Sequence, residues 1–343
     1  MFDFSSFLSN KAFITEDHHV YTYADLLGLS ERFSEHLVPR SLIFIGCENS
    51  LESIVAYVSC LRSGVVPLLL SRDVPDETLY HLEAIYHPRY CWFPSRRDLL
   101  VKGKEKYSLG GYSLIQYDGD SPVLPEGLAL LLTTSGSTGS PKLVRLSHDN
   151  LKSNACSIIE YLKITSSEKA ITSLPMYYSY GLSVLNSHLL AGATLLLTDK
   201  SYVQREFWKF VLEEKATSFA GVPFTYEILK KMRFEKFLPS SVKVMTQAGG
   251  KLNSSLIKYF SEYARLHDIR FYVMYGQTEA TARMSYLPAE YTLNKVGSVG
   301  VAIPGGHFSL IDEDGMRIVS PNVEGELAVS YTHLRAHETG RNL

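Results

Sequence analysis

The sequence predicts an α/β protein of mostly parallel sheets covered by helices on both faces, with a small antiparallel lobe near its C-terminal end. Three observations carry that expectation. Along most of the chain, apolar runs of strand length alternate with stretches whose apolar residues recur at helical spacing. From Gly297 onward the texture changes to short strands punctuated by glycine and proline. A chain of 343 residues that is 45% hydrophobic exceeds what one core of roughly 250–300 residues holds, so a continuous body of several lobes is expected.

The elements follow in chain order. Leu42 to Ile45 is the first buried strand; Glu48, Asn49 and Ser50 then offer capping oxygens to a helix whose apolar face is Leu51, Ile54, Val55, Val58 and Leu61. Val65 to Leu70 is the next strand. Asp98 to Glu126 shows only polar connecting sequence of weak pattern. Beyond it the alternation resumes: a strand over Ala170 to Ser173, a helix over Leu182 to Leu190, a strand over Ala193 to Leu197 and a helix over Gln204 to Glu213. Strands Thr217 to Ala220 and Val242 to Thr246 come next. Leu252, Leu256, Tyr259, Phe260, Tyr263 and Leu266 then line one face of a helix, and Arg270 to Met274 is the strand after it. In the C-terminal lobe, Phe308 to Ile311 and Glu326 to Val329 are short strands, and Asp312-Glu313-Asp314-Gly315 is a turn signal.

Composition narrows the function classes. A formal net charge of −2 with 20% charged residues leaves no basic footprint for nucleic acid, so small-molecule partners are expected. The four cysteines, Cys47, Cys60, Cys91 and Cys156, have neither zinc-site pairing nor disulfide density and read as reduced core thiols. The start of the chain has no basic segment followed by an apolar stretch, and the longest apolar runs, such as Leu189 to Leu197, are too short to cross a bilayer. A soluble, cytoplasmic protein without a transmembrane segment is expected. No internal repeat is present, which sets aside solenoids and propellers.

The stretch richest in chemistry is Leu131-Leu132-Thr133-Thr134-Ser135-Gly136-Ser137-Thr138-Gly139-Ser140-Pro141-Lys142, a buried strand that runs into glycines, hydroxyls and a lysine. Glycines let backbone amides approach an anion, hydroxyls donate further hydrogen bonds, and an ammonium balances charge, so the segment has the chemistry of a phosphate cradle. Lys142 follows Pro141, and no GxxxxGK[ST] spacing passes through it, so it is not the P-loop of kinases and GTPases. The bland alternative for such a composition is a flexible surface loop. Tyr272-Val273-Met274-Tyr275-Gly276-Gln277-Thr278-Glu279 brings an aromatic ring, a hydroxyl and a carboxylate to the end of a predicted strand.

Read as Thr-Ser-Gly-Ser-Thr-Gly-x-Pro-Lys, the first segment resembles the phosphate-binding signature of the adenylate-forming superfamily, which includes acyl-CoA ligases, luciferases and peptide-synthetase adenylation domains. The second resembles that family's Tyr-Gly-x-Thr-Glu motif. Leu174-Pro175-Met176-Tyr177-Tyr178-Ser179-Tyr180-Gly181 is similar to the segment lining the acyl pocket, Gly221-Val222-Pro223 to another pocket edge, and Gly249-Gly250-Lys251-Leu252 to the loop beside adenine. These segments occur in the order the family requires, over a resemblance running from about Tyr21 to Val329.

The resemblance implies a fold of two flanking, mostly parallel α/β sheets plus a small β-barrel lobe. It implies ATP and Mg²⁺ as cofactors, a carboxylic acid as substrate, and coenzyme A or a carrier-protein thiol as acceptor. In this reading Thr134, Ser135, Gly136, Ser137, Thr138, Gly139 and Lys142 hold the phosphates. Gly250, Lys251, Leu252, Tyr275, Gly276, Gln277 and Thr278 contact the rest of the nucleotide, Tyr275 by stacking on adenine and Thr278 at the α-phosphate. Glu279 holds Mg²⁺, and Lys142, Thr278 and Glu279 form the catalytic set. Tyr178, Tyr180, Gly181, Gly221 and Val222 line the acid pocket. Amino-acid-activating relatives carry an aspartate where this chain has Ser179, and a buried ammonium needs such a partner, so an acid without an α-amino group is favoured.

The agreement stops near the end. After Gly325-Glu326-Leu327 family members proceed to a Thr-Gly-Asp whose aspartate holds the ribose, whereas here Thr339-Gly340 is followed by Arg341. The reading is therefore a large nucleotide-binding part over residues 1–330, with α/β lobes to about 296 and a β-rich lobe over 297–330. Residues 331–343 form an atypical tail, and the small catalytic C-terminal domain is absent. His333 and His337 lack the HExxH arrangement and a third ligand, and read as tail residues rather than metal ligands. Two rivals stand beside acid activation: a phosphotransferase using the glycine-rich loop, and a nucleotide-binding fragment without turnover.

Overall fold

The computed structural model describes residues 1–95, 103–119, 122–133 and 143–331. The chain opens with β1 (Lys11–Ile14) and β2 (Val20–Thr22), and α1 (Tyr23–Ser34) follows. Thr22 caps α1 by a reciprocal capping box with Asp25, because its hydroxyl and the carboxylate satisfy amides that the first turn leaves open. A second run comprises β3 (Leu42–Cys47), α2 (Leu51–Ser63), β4 (Val66–Ser71), α3 (Asp76–Tyr86) and β5 (Tyr90–Pro94). It continues through β6 (Gly103–Leu109), β7 (Tyr112–Tyr117), β8 (Leu128–Thr133) and β9 (Leu143–Ser147). Ser50 caps α2 as its sequence position suggests, and Gly64, in the left-handed region at φ 70°, ends it.

Strands β3 to β9 form a seven-stranded sheet of order β6-β7-β5-β3-β4-β8-β9. Its centre, β5-β3-β4-β8, is parallel, and β7, β6 and β9 add antiparallel edges. Within the weakly patterned stretch from Asp98 to Glu126, β6 and β7 pair as a hairpin turned at Gly110 and Gly111, both at positive φ. The signal was weak because β6 is an edge strand whose Lys104, Glu105 and Lys106 are exposed in succession, a composition that also serves a solvated loop.

The remainder begins with α4 (His148–Leu162), β10 (Lys169–Ile171), α5 (Ser179–Leu190), β11 (Thr194–Leu196) and α6 (Arg205–Glu213). It goes on through β12 (Ser218–Gly221), α7 (Pro223–Lys231), β13 (Val244–Gln247), α8 (Ser254–Leu266) and β14 (Arg270–Tyr275). Then come β15 (Ser285–Leu287), β16 (Val301–Ala302), β17 (Gly306–Ile311), β18 (Arg317–Ile318) and β19 (Glu326–Tyr331). A nine-stranded sheet has the order β16-β15-β14-β13-β12-β10-β11-β1-β2 and is parallel from β14 through β1. The last three strands make a separate antiparallel sheet, β18-β17-β19. Val301–Ala302 still pairs with β15 in the large sheet, so the small sheet starts at Gly306.

One apolar core joins both large sheets: Ile43, Leu69 and Trp92 share it with Leu182, Leu185 and Leu195. Polar stitches fix the packing. The Tyr23 hydroxyl donates to the Ala193 carbonyl at 2.7 Å, the Tyr57 hydroxyl to Asn186 Oδ1 at 3.0 Å, and the Asn49 amide to carbonyls of Thr172 and Leu174 at 3.2 Å. Cys47, Cys60 and Cys91 are buried as expected of core thiols. Cys156 is exposed, which corrects the expectation for that residue: α4 buries Leu151, Ala155, Ile158 and Leu162, and Cys156 falls on the opposite face. Among the described residues no helix is long and apolar enough to cross a membrane.

Candidate active site

Strands β12, β13 and β14 are parallel neighbours, so the segments that follow them emerge side by side along one edge of the sheet. That is where ligands bind in open α/β sheets. Gly221 and Val222 leave β12, Gly249 to Leu252 follow β13, and Gly276 to Glu279 follow β14. The first turn of α5 supplies Tyr178, Ser179, Tyr180 and Gly181 to the same place. The hydroxyls of Ser179 and Thr278 share a hydrogen bond of 3.0 Å, which fastens the pocket segment to the Tyr-Gly-x-Thr-Glu segment. A Cβ placed on Gly249, itself at φ 80°, would lie 2.3 Å from the Tyr178 hydroxyl, so that glycine lets the Tyr178 ring close over the loop after β13.

Each loop is braced from below. Gln247, fully buried, donates through Nε2 to the Gly250 carbonyl at 2.9 Å. The Tyr226 hydroxyl donates to the Thr246 carbonyl, and the Tyr180 hydroxyl to Thr246 Oγ1, at 2.8 and 2.9 Å. Leu252 turns inward and packs with Leu256 and Phe260, so its side chain anchors the loop in the core, while Lys251 is exposed. Gly181 and Gly276 sit where no side chain fits: a Cβ would lie 2.3 Å from the Pro175 carbonyl oxygen in the first case and 1.6 Å from that of Ala282 in the second.

The turn after β14 folds back tightly. Ala282 donates its amide to the Gln277 carbonyl at 3.0 Å and Met284 to Tyr275 at 2.9 Å. Thr281 and Ala282 both take positive φ, 58° and 83°, a cost that non-glycine residues bear mainly at functional turns. Thr278 and Glu279 ride on the short 3-10 turn Thr278–Ala280. Glu279 is exposed and makes no hydrogen bond or ion pair among the described residues. A free carboxylate beside a hydroxyl fits a hard divalent cation such as Mg²⁺, which binds through few protein oxygens and shares the rest with phosphates and water. Among the described residues no three His, Cys, Asp or Glu gather into a denser metal cluster.

Thr134 to Gly139 and Lys142 lie outside the described residues, as do His333 and His337. The strands that flank the segment are placed: Thr133 pairs with Leu143, and β9 lies against the Thr278–Ala280 turn.

Sequence reasoning missed one residue of this neighbourhood. Arg283 is 1% exposed, its Nε donates to Ser183 Oγ at 3.1 Å, and its guanidinium lies 4.1 Å from the centre of the Tyr180 ring. Burial pushes the Tyr180 hydroxyl up to about 12, against the pull of the Arg283 charge. His188, wholly buried on α5, is pushed down to about 4 chiefly by burial, and is neutral with Nδ1–H donating to the Val184 carbonyl at 2.8 Å. An arginine four residues after Glu279 matches no motif, and its one sequence signal was its nearness to that glutamate.

The family model described as AMP-binding enzyme matches residues 6–334. The chain is similar to a 2-succinylbenzoate–CoA ligase of Bacillus cereus, 30% identical over 94% of this chain and 68% of the relative. It is also similar to an indoleacetate–CoA ligase of Aromatoleum aromaticum, 26% identical over 90% of this chain and 64% of the relative. The solved structure of o-succinylbenzoate CoA synthetase from Bacillus subtilis, in complex with its acyl-adenylate intermediate, superposes with a TM-score of 0.76 at 23% identity, covering 94% of this chain and 66% of that one. The chain thus spans about two thirds of the length of these relatives, and its two-sheet α/β architecture is theirs.

Proposed function

Because the chain belongs to the AMP-binding enzyme family, we propose that its site activates a carboxylic acid with ATP, releasing pyrophosphate, and that the acyl group then passes to a thiol. The observation that carries this reading is the Ser179–Thr278 hydrogen bond at the ends of β12, β13 and β14, because it brings the acid-pocket segment and the nucleotide segment to one point. A carboxylate oxygen bonds to the α-phosphorus, the bond from that phosphorus to the bridging oxygen breaks, and pyrophosphate leaves. The thiol then attacks the acyl carbon and AMP departs. Such chemistry depends on positioning and charge stabilisation rather than on a covalent nucleophile of the protein.

In this reading Tyr275 stacks on adenine, Gly250 and Lys251 border it, and Leu252 holds that border in the core. Gly276 and Gln277 shape the turn, and the Gln277 amide donates to the Tyr275 hydroxyl at 3.1 Å, which steadies the ring. Thr278 donates to the α-phosphate, Lys142 and the hydroxyls and amides of Thr134 to Gly139 hold the β- and γ-phosphates, and Glu279 holds Mg²⁺, which neutralises charge on the leaving pyrophosphate when bound. Tyr178, Tyr180, Gly181, Gly221 and Val222 border the acid. Ser179 in place of an aspartate favours an acid without an α-amino group. The acceptor is coenzyme A or a carrier-protein thiol, the partners are small molecules rather than nucleic acid, and the setting is the cytoplasm. Residues 1–330 form the nucleotide-binding part, with its small antiparallel sheet starting at Gly306.

The test is calorimetric binding of Mg²⁺-ATP to the unaltered chain and to its Lys142→Ala and Glu279→Ala variants, with pyrophosphate release measured on a panel of carboxylic acids. The reading predicts binding that each substitution weakens by tenfold or more, as loss of a charge-assisted contact requires. ADP or orthophosphate in place of pyrophosphate would point to the phosphotransferase instead.

A further inference from the structure

Arg283 is a cation in the interior that meets no anion among the described residues. Its Nε donates to Ser183, Nη1 to the Tyr161 hydroxyl and the Met274 sulfur, and its face rests on Tyr180. Among the described residues it has no carboxylate partner, and Nη2 has no hydrogen-bond acceptor. Buried charges are normally paired, because removing a guanidinium from water costs far more than a ring face and hydroxyls return. Arg283 borders a narrow cavity of about 30 Å³ between α4, α5 and the large sheet, whose lining includes Val184, Ala220, Val244 and Thr246. That is room for one carboxylate or a water or two. His188 also borders it but is neutral, and Glu168, also on its lining, is engaged by the Thr217 hydroxyl.

The geometry points to a substrate with two carboxylates, one activated beside Thr278 and the other received by Nη2 of Arg283. Helix α5 sets the span. Ser179 meets Thr278, and Ser183, one turn later on the same face, meets Arg283. One such step of four residues advances about 6 Å along a helix axis. An acid with roughly two or three methylene groups between its carboxyls, at C–C bonds of about 1.5 Å, bridges the two positions. A planar bidentate acceptor suits an arginine whose remaining fork edge is open. This inference rests on the acid-activating reading above and specifies which acids the site selects.

The experiment compares succinate and glutarate with butyrate and pentanoate, their matched monoacids, in ATP-dependent pyrophosphate release by the full chain, alongside Arg283→Gln and Arg283→Lys. The expected result is a diacid preference in kcat/KM of about a hundredfold or more, since a site built to bind a polar group rejects analogues that lack it. That ratio should collapse toward one in Arg283→Gln and partly return in Arg283→Lys, whichever way absolute rates move. Equal use of diacid and monoacid by the unaltered chain, or an unchanged ratio in Arg283→Gln, overturns the inference while leaving acid activation intact. If no acid yields pyrophosphate, the activation reading fails instead. Thermal shift then decides the inference by itself: diacids should raise the Tm of the unaltered chain and not that of Arg283→Gln, and no shift in either overturns it. Arg283→Lys covers the case in which the glutamine variant does not fold.

Discussion

Replacing Gly276 by alanine tests the turn that presents Thr278 and Glu279. The added Cβ would stand 1.6 Å from the Ala282 carbonyl oxygen and 2.7 Å from its carbon, both backbone atoms. To reach 3.0 Å, the nearest approach that real Cβ atoms make, the carbonyl must retreat by about 1.4 Å. It cannot rotate away as a side chain would, because Ala282 is held by its amide to the Gln277 carbonyl, and Met284 beyond it by its amide to that of Tyr275. Forced overpacking of this kind costs about 1–3 kcal/mol, and losing one of those two hydrogen bonds adds about 1 kcal/mol. Urea unfolding should therefore show the variant less stable by roughly 2–4 kcal/mol. A displacement beyond 1 Å beside the reacting groups should also cut kcat/KM for pyrophosphate release about a hundredfold. A Gly276→Ala protein with unaltered midpoint, slope and kinetics would refute the argument, because the turn would then have slack that the contact denies.

Three further outcomes are expected. Because burial holds His188 neutral with its folded value near 4, the unfolded chain binds its proton first as pH falls below about 6.5. Its contribution is complete above pH 6.5 and is lost toward pH 4, by up to roughly 3 kcal/mol, so unfolding free energies measured across that window should fall less steeply in His188→Gln; parallel curves would contradict this. Ser179→Ala removes the hydroxyl bonded to Thr278, and pyrophosphate release should slow about fivefold, the equivalent of one neutral hydrogen bond of about 1 kcal/mol; an unchanged rate would show that the contact does not position Thr278. Of the four thiols only Cys156 is exposed, while burial raises the Cys47 and Cys60 thiols, so a thiol reagent should modify one cysteine in the native protein and all four after unfolding.

The strands and helices that the sequence did predict in the two large sheets were legible because their signals are local. Leu42 to Cys47 is buried throughout and reads as an unbroken apolar run, and α8 buries Leu256, Phe260 and Ala264 on one stripe. The segments proposed to hold the nucleotide were legible for a related reason. Tyr275 to Glu279 must follow a strand directly, and residue order along a backbone is written in the sequence. Segments whose partners are distant were less clear. The hairpin β6–β7 carries an edge-strand composition that a loop can share, and Cys156 differs from the buried cysteines only by the helix face on which it falls.

Periodicity thus determined the alternation of strands and helices in mostly parallel sheets, while the ordered motifs, through their family resemblance, pointed to the two-sheet arrangement and to the segments proposed to meet a nucleotide. Tertiary packing alone decided that Ser179 touches Thr278, that Gly276 has no room for a side chain, and that Arg283 is a buried cation without a counter-ion among the described residues. The physical reason is that periodicity reports which side of an element faces inward, whereas a contact depends on where a second element, often a hundred residues away, brings its own atoms. An arginine reads as solvated until α4, α5 and the end of β14 close around it, and its interior charge becomes informative only then.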